Sequence, residues 1–195
     1  MYFLFSGEGS TDCGIGAFSD RVCVREHFQA GPMVSLAKHV VAKAGYSSVD
    51  TDRCALVTRK ALNTKVADLK GRKKNFRLSG RRTPKETLYF ERSAQAMARW
   101  AKGWGSTKND KVVAILFHDA DTNNASPLGE WQAKHDAMLR GFREESFARG
   151  VPMIPRPTSE AWLLCALKDN PYAGCQKLEE RSGSRKAQLP LKKEL

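Results

Sequence analysis

The 195-residue sequence predicts an α/β fold with a mainly parallel, Rossmann-like sheet and helices on both faces. Three observations predict it. Short apolar runs of strand length alternate with longer stretches whose apolar residues recur at helical spacing. The run Val112-Val113-Ala114-Ile115-Leu116-Phe117 is apolar on both alternating faces, as a central strand reads when helices cover both sides. With 41% hydrophobic and 9% aromatic residues, the chain can bury a core without disulfide staples.

Taken in order, the strands are expected at Tyr2–Ser6, Cys54–Thr58, Val112–Phe117 and Val151–Ile154. The first reaches Glu8 with no basic n-region before it, so it reads as a buried strand and not as a signal peptide. Helices are expected over Val34–Ala44, Lys85–Gly103 (Pro84 suits its start), about Leu128–Arg149, and from Thr158 through Leu167. That last segment is apolar nearly all round and should be buried. Trp100, Trp104, Trp131 and Trp162 fall mostly at helical core positions. One α/β domain over residues 1–170 is expected, followed by a loosely packed C-terminal arm at 171–195.

Charge is concentrated. Lysine and arginine number 33 against 21 acids, a net +12, and Arg59–Arg82 alone carries ten basic residues and one acid. This stretch is expected to be a basic insertion whose Lys70, Arg72, Lys73, Lys74, Arg77, Arg81 and Arg82 track a phosphate backbone. A solvated face or disordered arm is the plainer account of such a run. Nucleic acid is favoured over a membrane as the polyanionic partner, because no segment approaches the length of an apolar span. Five cysteines without a CxxC pair argue against a zinc ribbon, and they are expected to be free or buried thiols in a reducing cytoplasm.

Two segments can do chemistry. Phe117-His118-Asp119-Ala120-Asp121 closes an apolar strand, so its carboxylates emerge at the edge where open α/β sheets bind ligands. Residues i and i+2 of an extended chain face the same way, and a hard cation such as Mg²⁺ would relieve the repulsion of Asp119 and Asp121. The alternative is a polar strand end with Asp121 capping a loop. Gly7-Glu8-Gly9-Ser10-Thr11-Asp12 follows the first strand and would bring Glu8 to the same edge. A phosphate loop fails here, because Ile15 and Gly16 stand where Lys and Ser/Thr are required. Glu160 falls in the first turn of the last helix, which Thr158 can cap, and Asp12 can serve the same cluster; both also have purely structural explanations.

These texts, with Ile154-Pro155-Arg156-Pro157-Thr158-Ser159-Glu160-Ala161-Trp162-Leu163-Leu164, resemble the Toprim fold. They look like a group of small bacterial Toprim-like proteins, some linked to mobile elements and phage defence. The resemblance covers residues 1–170. It implies Mg²⁺ (Mn²⁺ can substitute) held by Asp119 and Asp121, with Glu8 as general acid/base or further ligand. Asp12 and Glu160 are additional candidates. The implied activity is a nuclease or related phosphodiester-processing enzyme on DNA or RNA, a toxin or defence effector restrained by a partner such as an ATPase. Two alternatives remain: a Toprim scaffold that binds nucleic acid or a partner without cleaving, and haloacid-dehalogenase-like phosphoryl transfer, which wants Thr where Asn123 stands.

Overall fold

The computed structural model describes residues 1–9, 11–46, 49–72, 85–120, 128–181 and 190–195. In chain order it runs β1 (Tyr2–Ser6), β2 (Gly14–Gly16), β3 (Phe28–Ala30), α1 (Pro32–Lys43), β4 (Cys54–Leu56) and α2 (Arg59–Arg72). There follow α3 (Lys85–Lys108), β5 (Val112–Phe117), α4 (Leu128–Glu144), β6 (Gly150–Met153), α5 (Ser159–Leu167) and α6 (Gln176–Glu179). β1, β4, β5 and β6 form one parallel sheet in the order β4-β1-β5-β6. β2 and β3 pair antiparallel as a separate hairpin between β1 and α1.

Alternation along the strands builds two cores. Leu4, Ala55, Val57, Ala114 and Leu116 face one side and pack with residues of α2, α3 and α4. Phe3, Phe5, Cys54, Leu56, Ile115 and Phe117 face the other, where α1 and α5 cover them. The chain moves outward from β1 to β4 through α1. It then returns past β1 to β5 and β6 through α2–α3 and α4. Helices on opposite faces are what one crossover hand demands when the direction reverses. The reversal puts a topological switch point between the carboxyl ends of β1 and β5, where such sheets bind ligands.

Three expectations are corrected. The basic segment is not an insertion through its first half: Ala61, Leu62, Val66 and Leu69 of α2 are buried in the core beside α3. Their helical spacing is masked in the sequence by the cations on the other faces. The cysteines are not all free. Cys13, Cys23 and Cys54 are buried thiols, but Cys165 is bonded to Cys175, because the chain turns back after α5 through Tyr172 and Gly174 at positive φ. The described C-terminal residues are not a loose arm either: Leu191 is buried, and the turn Leu191–Lys193 packs near α5. The four tryptophans are partly buried against the two cores. No helix of the described residues is long and apolar enough to cross a membrane.

α3 and α4 pack closely enough to require a glycine between them. A Cβ on Gly141 would lie 2.1 Å from the Glu91 carbonyl oxygen and 2.8 Å from the Ala94 Cβ. One ion pair joins the same helices, Arg140–Glu91 at 3.6 Å, and a second ties Arg99 of α3 to Glu145 just past the end of α4 at 2.9 Å.

Candidate functional site

β1 and β5 are neighbours in register, with Ser6 opposite Leu116, so the residues just past them leave the sheet at one edge. Glu8 and Asp119 stand there, each two residues beyond its strand. The loop carrying Asp119 is tied to the loop after β6: His118 N–H donates to Met153 O at 3.0 Å and Ala120 N–H to Pro155 O at 3.3 Å. β6 thereby brings the start of α5, with Glu160 in its first turn, to the same edge.

Each carboxylate has a defined surrounding. His118 Nδ1 lies 2.7 Å from Glu8 Oε2 and 3.0 Å from the Asp119 carbonyl oxygen. Glu8 Oε2 is buried, and His118 is the polar side chain that lies closest against it. The rings of Phe90 and Tyr89 hold the imidazole edge-on, at centroid distances of 4.4 and 5.7 Å. Arg59, at the start of α2, donates from Nη1 to the Glu8 carbonyl oxygen at 2.8 Å. Lys134, on α4, is buried and donates to the Ala120 carbonyl oxygen at 2.6 Å. Burial raises the Glu8 carboxyl, but His118, then Arg59 and Lys134, outweigh it, so its pKa falls below the ordinary value. The Glu8 side chain is still 27% exposed, enough to meet a ligand.

Asp119 Oδ1 accepts the Ser159 N–H at 2.9 Å. This corrects the expectation that Thr158 caps α5: Thr158 occupies the cap position but its side chain makes no capping bond. The acceptor comes instead from Asp119, 40 residues away in sequence, and the positive end of the helix favours its charge. Asp12 is raised by burial; the amide of Gly9 lowers it, Glu160 and Glu8 raise it, and Lys192 from the C-terminal turn lowers it. Its position depends on Gly9, where a Cβ would fall 2.0 Å from Asp12 Oδ2.

Glu8, Asp12, Asp119 and Glu160 therefore belong to one sheet edge. Asp121 lies outside the described residues, as do Lys73, Lys74, Arg77, Arg81 and Arg82. Lys70 and Arg72 are placed by the backbone of α2 alone. His118 and Lys134 were not among the expected residues. His118 adjoins Asp119 and could have been singled out there, whereas nothing in the text of α4 distinguishes Lys134 from a surface lysine.

The donors fit a hard divalent cation in kind: all four are carboxylates, Glu8 presents a buried oxygen, and Asp12 is pushed up partly by its acidic neighbours. Among the described residues, no three His, Cys, Asp or Glu side chains are grouped so as to hold a metal. No family model matches the chain, and no curated protein or solved structure matches it either.

Proposed function

We propose that the protein is a Toprim-like, Mg²⁺-dependent phosphodiester-processing enzyme acting on nucleic acid. The observation that carries this reading is the delivery of Glu8 and Asp119 to one carboxyl edge at the switch point between β1 and β5. Asp119 and Asp121 would hold Mg²⁺ or Mn²⁺, with Glu8, Asp12 and Glu160 around it. When bound, the ion supplies charge neutralisation for the attacking and leaving oxygens of a phosphate. The chain's own residues set up that exchange. His118 and the rings behind it orient Glu8, whose lowered pKa keeps it ionised, the form in which it can bind a cation. The α5 amide fixes the Asp119 carboxylate, and Arg59 and the following cations attract the phosphate backbone.

A second reading is favoured by one observation: His118 and the Ser159 amide already engage Glu8 and Asp119. A scaffold that binds nucleic acid without cleaving would keep these contacts. Incubation with mixed DNA and RNA substrates in Mg²⁺, Mn²⁺ or EDTA separates the two. Asp119→Asn keeps an oxygen acceptor for Ser159, so the variant should fold and bind. The enzyme reading expects its turnover to drop by about two orders of magnitude or more. No metal-dependent cleavage by the wild type on any substrate leaves the scaffold reading.

A further inference from the structure

Beside the acidic edge, on the β4 side of β1, lies a cavity of about 570 Å³. Its floor is Leu56 and Val57 at the end of β4, and one wall is the β2 hairpin strand, from which Ile15 stands 56% exposed. The opposite wall is the first turns of α2, presenting Arg59, Lys60, Asn63 and Thr64, all exposed. Among the described residues the lining holds two cations and no carboxylate. Gly7 and Gly9, which flank Glu8, form the rim shared with the acidic edge. The hydrogen bond from Arg59 to the Glu8 carbonyl takes one of the five guanidinium donors, and it pins this cation between the two sites.

We propose that this cavity takes a single unstacked nucleotide of a nucleic-acid strand. Its phosphate lies at Arg59 and Lys60, and its base lies against Ile15 and the aliphatic floor with Asn63 and Thr64 at the polar edge. The inference rests on the nucleic-acid reading above and deepens it by naming a single strand as the substrate. Charge gives the phosphate its place: Arg59 is the first cation of the stretch to Arg82, with its ten basic residues and one acid. A bare phosphate leaves Ile15 in water, whereas a base covers it. The volume suits a small ligand. A base paired inside a duplex cannot enter without leaving its stack.

Anisotropy measurements in EDTA test this with a labelled oligothymidylate, an abasic strand of equal length and a duplex of equal length, all at one salt concentration. The oligothymidylate is expected to bind about tenfold tighter than either of the others, the scale of one seated base. Asn63→Trp fills the cavity from an exposed helix position, so it should remove that advantage and leave duplex affinity within about twofold. Lys60→Gln, a milder change on the same wall, should weaken the oligothymidylate and flatten its salt slope by about 0.7. Circular dichroism melts of both variants exclude unfolding as the cause. Equal binding of the abasic and thymidine strands, or an unaltered preference in Asn63→Trp, overturns the proposal. If duplex binding and metal-dependent cleavage persist in that case, the cavity assignment alone has failed. If no nucleic acid binds at all, the reading beneath it falls too.

Discussion

Burial raises the pKa of Asp12, and the neighbouring Glu160 and Glu8 carboxylates add to it against the pull of the Gly9 amide and Lys192. The sign of its contribution to stability follows. A folded-state pKa above the unfolded value, about 3.9 for Asp, means stability that is full below that value and is lost as pH rises through the folded pKa. Asp12→Asn removes the charge and keeps an oxygen to accept from Gly9. In EDTA it is expected to melt higher than wild type at pH 7, with the gain vanishing below about pH 3.5. A gain that is the same at both pH values, or a loss at pH 7, would show that ionised Asp12 is no burden to the fold. Glu8 has the opposite sign: its lowered pKa gives stability that is present above the unfolded value and lost as pH falls through the folded one. The edge thus holds one carboxylate favoured as an anion and one resisted. Added Mg²⁺ should raise the melting temperature of wild type, and the rise should disappear in Asp119→Ala/Asp121→Ala.

At the scale of elements, α2 joins core packing to charge. Leu62 is 3% exposed between the sheet and α3, so Leu62→Ala should cost about 2–5 kcal/mol in chemical denaturation. Lys60→Gln on the exposed wall should change stability by less than about 0.5 kcal/mol. Equal, small effects at the two positions would mean that α2 is not part of the core. Gly141→Ala tests the α3–α4 contact in the same assay, and the methyl group forced against Glu91 and Ala94 should cost about 1–3 kcal/mol. The four sheet strands were legible because each is an apolar run with turn residues beside it; only their ends differ by a residue or two, as at β4 and β6. The β2–β3 hairpin was not. Its strands are three residues long and β2 is Gly-Ile-Gly, too short to show alternation. α2 escaped notice because cations surround its narrow apolar stripe, and the Cys165–Cys175 bond because a spacing of ten carries no signal. Glu8 and Asp119 were legible as strand-end carboxylates. The contacts that define them, from His118, Lys134 and the Ser159 amide, depend on tertiary neighbours that a sequence pattern does not contain.

The whole molecule divides its charge unevenly. The net +12 is mostly the excess between Arg59 and Arg82, and that stretch begins on a helix that starts at the acidic edge and runs along the core. A rigid start beside the candidate site suits a grip on the phosphate backbone near the point of chemistry, with little base readout from these cations. If about six of them meet phosphates, log K against log [salt] on duplex DNA should have a slope of about −5. Replacing Arg72, Lys73, Lys74 and Arg77 together with Gln should flatten that slope by about 3–4. Turnover at saturating substrate should fall far less than in Asp119→Asn, because these charges bind ground state and transition state alike. The melting temperature should hold, since the apolar stripe of α2 is untouched and its four buried residues keep their partners. Affinity titrations at several salt concentrations measure the slope, and single-turnover assays with excess protein measure the chemistry separately. An unchanged slope in the quadruple variant would remove the basic stretch from the nucleic-acid interface. Binding would then have to be sought at Arg59 and Lys60 and in the cavity between them and the hairpin.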